Sequence, residues 1–170
     1  MVDILRVSGL KTYYFTRNGV VKAVDGVSFR VGRGETLGIV GESGCGKSTV
    51  AYSIVRLLPR EARIVEGEII FEGRDLARIS DDEMRNIRGK DIAFIFQDPT
   101  TSLNPVYNVG FQIAEVFLTH EEVRRDEANA KTIGMLKTVK IPEPERRAKQ
   151  YPHEFSVGMQ QRAMIAMALA

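Results

Sequence analysis

Residues 41 to 49 read Gly41-Glu42-Ser43-Gly44-Cys45-Gly46-Lys47-Ser48-Thr49, and no other stretch narrows the possible folds as much. The spacing Gly-x-x-x-x-Gly-Lys-Ser is met at Gly41, Gly46, Lys47 and Ser48. Gly41, Gly44 and Gly46 allow the backbone to curl with its N–H groups pointing inward, as a bound anion requires. Ahead of the loop, Thr36-Leu37-Gly38-Ile39-Val40 reads as a short buried strand. Behind it, Val50, Ala51, Ile54, Val55, Leu57 and Leu58 recur at helical spacing until Pro59 stops the pattern. Strand, glycine loop and helix in that order predict an α/β fold of the phosphate-loop NTPase class. The helix starting near Lys47 aims its positive end at the loop. Lys47 supplies a point charge for the β- and γ-phosphates, and the Ser48 hydroxyl is placed to ligate Mg²⁺. Ser43, Cys45 and Thr49 complete the cradle. The Cys45 side chain is read as small and turned away from the phosphate, although its modification would block the site.

The remainder divides by character. Ile4-Leu5-Arg6-Val7, Thr12 to Phe15, the turn Arg17-Asn18-Gly19, Val20 to Val24 and Val27 to Val31 predict small antiparallel strands. Glu68-Ile69-Ile70-Phe71 is another strand, and Ser80 with Glu83 forms a capping box that opens a helix. Asp91 to Phe96 is apolar on both faces, as in a central strand of a covered sheet. A loop rich in Pro, Thr, Ser and Asn follows from Pro99 to Pro105, then helices over Val109 to His120, Asp126 to Lys137 and Met159 to the end. This gives a nucleotide-binding core with its β subdomain over 1–98 and a helical subdomain over 99–170.

Composition excludes several classes. A net charge of +2 over 170 residues is too small to argue for nucleic acid, whose backbone calls for a concentrated basic face. One cysteine excludes an internal disulfide. The start Met1-Val2-Asp3-Ile4-Leu5-Arg6 lacks the build of a signal peptide. The longest apolar run, Ala163 to Ala170, falls short of the roughly 20 residues that span a bilayer. Work at a membrane therefore requires docking onto something else. The mixed charges of Glu121 to Glu127 read as a solvated helix face.

Two weaker signals sharpen the reading. Phe94-Ile95-Phe96-Gln97-Asp98-Pro99 ends a strand in an amide able to ligate Mg²⁺ or hold a water, although a lone Gln there is usually structural. Glu154-Phe155-Ser156-Val157-Gly158-Met159-Gln160-Gln161-Arg162 opens the last helix, with Ser156 as N-cap and Gly158 leaving the backbone bare. Alone, that is an ordinary cap.

Together with the loop, in this order and spacing, these stretches closely resemble the ATP-binding subunit of an ABC transporter over essentially the whole chain. Gly41 to Thr49 matches the Walker A motif, Gln97 the Q-loop glutamine, and Phe155 to Met159 the signature motif. Gly38 to Ser43, Ile95 to Pro105 and Tyr151-Pro152-His153-Glu154 look like the oligopeptide/dipeptide (and nickel) importer branch. The resemblance implies ATP and Mg²⁺ as ligands, Ser48 and Gln97 at the metal, Lys47 and Gln97 at the reacting phosphate, and Ser156 and Gly158 as an anion site. Tyr14 aligns with the aromatic that stacks on adenine, with Tyr13 and Phe15 as competitors. His153 is not the family's switch histidine, and Met159, Met164 and Met167 are packing residues.

The family packs two copies head to tail, so the loop of one faces the signature of the other, as homodimer or heterodimer. Closure drives two integral membrane permease subunits from the cytoplasmic face of the membrane, with an extracytoplasmic solute-binding protein acting indirectly. The loop Asp98 to Tyr107 is where the family touches its membrane partner. Two departures stand out. Val157 replaces the usual second Gly, which predicts weakened closure unless the motif is used asymmetrically. The sequence stops at Ala170, inside the signature helix, so the Mg²⁺-binding Asp, the catalytic Glu and the switch His are not among its residues. A fragment or a truncated copy is expected, with negligible hydrolysis by the chain alone and an incomplete sheet. The alternatives are a soluble ABC ATPase of translation or DNA repair, and a phosphate-loop kinase, which leaves Ser156 to Arg162 unexplained.

Overall fold

Alternating apolar residues over positions 3–32 fold into one long hairpin. The computed structural model describes residues 3–170, so Met1 and Val2, the start of the stretch read above for a signal peptide, lie outside the described residues. Strand β1 (Asp3–Thr16) pairs antiparallel with β2 (Gly19–Gly32) and, on its other edge, with β3 (Ala62–Phe71), which is extended by the two-residue β4 (Arg74–Asp75). The sheet order is β2-β1-β3-β4. The sequence suggested separate short strands where β1 and β2 each run through. Register shifts next to Gly9 and near Gly26 are bulges, which bend a strand without ending it. Val7, Leu10 and Thr12 point to the buried side.

Helix α1 (Lys47–Ile54) follows the glycine loop. It ends before the predicted stop at Pro59 because a Schellman turn closes it. Leu57 N donates to Tyr52 O at 2.9 Å and Arg56 N to Ser53 O at 3.2 Å, with Arg56 left-handed at φ 51°. The Arg56 guanidinium holds that turn by donating to Ile79 O and Asp81 Oδ1, both at 2.6 Å. Helix α2 (Asp81–Ile87) carries the capping box read from sequence. Glu83 N donates to Ser80 Oγ at 3.2 Å and Ser80 N to Glu83 Oε2 at 2.8 Å.

The chain divides into two compact units, one ending at Arg85 and the other spanning Asn86–Ala170. The second unit is helical: α3 (Pro99–Ser102), α4 (Val109–His120), α5 (Arg125–Thr138), α6 (Pro144–Arg147), a 3₁₀ turn (Pro152–Glu154) and α7 (Val157–Leu169). Its core gathers Leu103, Val109, Ile113, Phe117, Leu136, Phe155 and Met164, with Met159 and Met167 packed against it, so the methionine series is packing. The charged run 121–127 is exposed apart from half-buried Val123, and only from Arg125 is it helical.

Two expected buried strands are not strands here. Residues 36–40 and 91–96 carry no ladder apart from a bridge between Arg88 and Ile92, and Val40 is 91% exposed. A strand is a pairing, and among the described residues neither run has a partner strand. Their apolar composition, which suggested burial, instead leaves Leu37, Ile39, Ile95 and Phe96 exposed.

Candidate functional site

The glycine loop leaves the 36–40 stretch and enters α1 through Gly46. Gly44 and Gly46 sit at φ 81° and 96°. At Gly46 only glycine fits, because a Cβ would lie 2.2 Å from the Ala23 carbonyl oxygen of β2. The loop is thereby pressed against the hairpin. Val50 N donates to Gly46 O at 3.0 Å, which starts the helix. Gly46 has no side chain to cap the first-turn amides of α1, and no acidic residue stands in that turn. Those N–H groups and the helix dipole form an anion-accepting end.

The Lys47 ammonium folds back over the loop and donates to Gly41 O at 2.8 Å and Glu42 O at 2.6 Å. Its charge is thus held above the curled backbone. Lys47 Nζ also donates to Cys45 Sγ, at 3.5 Å. Ser43 and Ser48 are exposed, whereas Thr49 is buried. Beside the loop a cleft of about 510 Å³ is lined by Val24, Phe29, Ile39, Cys45, Gly46 and Lys47 among others. The donor set suits a polyphosphate: the first-turn amides of α1 without a side-chain cap, an ammonium folded over the loop, and hydroxyls at the helix start. Among the described residues no three His, Cys, Asp or Glu side chains group as a metal site. Mg²⁺ in nucleotide sites is held largely by phosphates and water, and Ser48 is an exposed hydroxyl in the first turn of α1.

The three neighbouring aromatics on β1 are separated by strand parity. Tyr14 is half-buried, and its hydroxyl lies 3.4 Å from Thr49 Oγ1. Tyr13 donates to Asp25 Oδ1 at 2.6 Å, and Phe15 lies under the Arg63 guanidinium at 4.1 Å. Only Tyr14 of the three is tied to α1 and the loop. The Tyr13 bond keeps the Asp25 carboxyl below its ordinary range.

The other candidate residues lie in the second unit. Gln97 is exposed, at a bend that follows residues 91–96. The next residue, Asp98, caps α3 by accepting from Thr100 N at 2.8 Å and Thr100 Oγ1 at 2.6 Å, which lowers its pKa. Ser156 caps α7, its hydroxyl accepting from Met159 N at 3.3 Å. Ser156, Val157 and Gly158 are all exposed. A Cβ at Gly158 would meet no atom within 4 Å, so this chain's own fold does not demand glycine there. His153 stacks on Tyr151 with ring centroids 5.8 Å apart.

Sequence reasoning missed Gln112. This buried residue of α4 accepts from Asn104 N at 2.8 Å and donates to Asn104 O and Tyr107 O, each at 3.0 Å. It fixes the loop after α3 so that Val106 and Tyr107 face outward, 70% and 48% exposed. The available signal was a polar residue on the apolar stripe of a helix. Also missed were Thr12 and Ser53, which bond each other beneath the loop helix.

The family model described as ABC transporter matches residues 24–170. The chain belongs to the ABC transporter family. It is similar to a probable peptide ABC transporter ATP-binding protein of Sinorhizobium fredii, with 56% identity over 168 residues, 98% of this chain and 50% of that protein. It is also similar to the dipeptide transport ATP-binding protein DppD of Bacillus subtilis, with 51% identity over 99% of this chain and 51% of the relative. The chain therefore spans about half the length of the curated relatives it matches. Among solved structures, the dimeric bacterial ABC transporter cassette MJ0796 aligns with a TM-score of 0.86 at 27% identity, covering 98% of this chain and 69% of that one. A post-hydrolysis dimer of the same cassette, bound to ADP and Pi, aligns equally well.

Proposed function

We propose that this chain is the ATP-binding, energy-coupling part of an ABC importer for oligopeptides or dipeptides. The observation that carries the ATP reading is the glycine-forced loop, with Lys47 held over it and the uncapped first turn of α1 behind it. Lys47 engages the β- and γ-phosphates, Ser48 and Gln97 hold Mg²⁺, and the remaining loop amides cradle the chain of phosphates. Tyr14 stacks on adenine, which its place beside Thr49 supports. The names of the peptide-transport relatives support the solute class.

The tip of α7 completes a second copy's site. Ser156, the Gly158 backbone and the helix dipole meet the γ-phosphate held by the opposing loop, in a homodimer or heterodimer. Val157, 62% exposed at that tip, weakens the closed state by crowding the approach. The dimer acts from the cytoplasmic face of the membrane on two integral permease subunits, touching them through the loop after Gln97. A solute-binding protein outside the membrane acts indirectly, and nucleic acid is not a partner. A functional boundary near residue 98 separates the phosphate-binding core from the segment that reaches the permease.

None of the side chains placed at the phosphates here, Lys47, Ser48 and Gln97, is a carboxylate able to act as general base. The chain by itself is therefore expected to bind MgATP without turning it over. A steady-state assay giving about 1 s⁻¹ or more would overturn that expectation. Co-purification of the full-length protein with two polytopic subunits tests the importer assignment, and recovery with ribosomes or DNA instead overturns it.

A further inference from the structure

Thr12 and Tyr14 lie on one face of β1, and Thr49 and Ser53 on one face of α1. Two residues along a strand advance about 6.8 Å and four along a helix about 6 Å, so the two pairs can meet rung against rung. They do. Thr12 Oγ1 and Ser53 Oγ are 2.8 Å apart, and Tyr14 Oη and Thr49 Oγ1 are 3.4 Å apart. Ser53 uses its one proton on Thr49 O at 2.6 Å, so Thr12 is the donor of the first rung. Thr12 and Ser53 are fully buried, and the sheet and helix could have met there through apolar side chains instead.

We propose that Thr12 and Ser53 are positioning residues for nucleotide binding, fixing the height of the Tyr14 ring over the phosphate loop. The inference rests on the reading above, in which Tyr14 takes the base and Gly41 to Thr49 the phosphates. One ligand gains from both ends only if their separation is set before it arrives. β1 carries one end and α1 the other, and of the two rungs that join them the buried one is the shorter. Loosening it costs a ligand that spans both ends and spares a ligand that uses only one.

The test compares MgATP with magnesium tripolyphosphate, which has the phosphates but no base, on the full-length protein by calorimetric titration. Tyr14→Ala checks the underlying reading: the ATP Kd rises roughly tenfold with loss of stacking, and the tripolyphosphate Kd stays put. Thr12→Val checks the inference. Valine keeps the strand-favouring shape and leaves Ser53 bonded to Thr49 O, so no donor is orphaned. The ATP Kd then rises about fivefold and the tripolyphosphate Kd stays within about twofold, while Thr12→Ser restores ATP binding. If Thr12→Val weakens both ligands in proportion, or neither, the positioning role is wrong even though Tyr14→Ala behaves as expected. If Tyr14→Ala leaves ATP binding unchanged, the reading of the base platform fails and the inference with it.

Discussion

Two helix N-termini in this molecule carry glycine beside a serine, one entering α1 and the other opening α7, and they are built under different constraints. At the first, the fold itself demands glycine: Gly46 is left-handed and would strike the Ala23 carbonyl with any side chain. A lysine folds over that turn and no side chain caps it. At the second, Ser156 already caps the helix, no cation stands in the motif, and Gly158 sits in open space. Residues that the chain's own packing explains belong to a site the chain makes for itself. A glycine that its own packing does not explain, on an exposed tip, is suited to a surface arriving from outside.

Substitutions can break or sharpen that contrast. Lys47→Ala removes the one ammonium over the loop, and charge-assisted bonds of that kind put the rise in MgATP Kd at roughly 100-fold by titration. Gly46→Ala should unfold the loop and lower stability by about 3 kcal/mol in denaturant melts, the cost of a strained backbone plus overlap. Gly158→Ala should have the opposite sign. It gains about 0.5 kcal/mol from helix propensity in the same melts, while weakening ATP-dependent dimerisation in analytical ultracentrifugation. If Gly158→Ala destabilised the chain as Gly46→Ala does, the contrast would be lost.

The smallest effect concerns a third tip, at α2. Bonds from Ser80 hold the Glu83 carboxyl below its ordinary 4.5. A depressed folded-state pKa means stability that is full above the ordinary value and lost as pH falls through the lower one. Melting temperature should thus decline below about pH 4.5 more steeply in the wild type than in Glu83→Gln, measured by circular dichroism from pH 6 to 3.

How far the residues alone carried depended on where the information lay. Helix α4 was read at its observed limits, because Asn108 caps it locally, its Oδ1 accepting from Phe111 N at 2.7 Å, and the apolar stripe is its own. The phosphate loop was equally legible, since glycine spacing is a backbone property. Residues 36–40 and 91–96 were not: an apolar run reports a preference for burial, and pairing depends on a strand elsewhere. The choice of Tyr14 over Tyr13 and Phe15 was open in the sequence, because parity needs a fixed reference. The contact with Thr49 shows which face of β1 Tyr14 occupies, and the stacking role remains the proposal made above. Arg56 ended α1 early through a left-handed turn that no glycine or proline announced.

The two apolar runs outside the sheet also bear on how this polypeptide behaves at high concentration. Leu37-Gly38-Ile39-Val40 and Ala93-Phe94-Ile95-Phe96 are free of charge and proline, and Leu37, Ile39, Val40, Ile95 and Phe96 are exposed. Such segments are templates for one another across molecules. Chains crowded together, as during rapid synthesis, would zip into stacked ribbons unless a chaperone or a proper neighbouring strand reached them first.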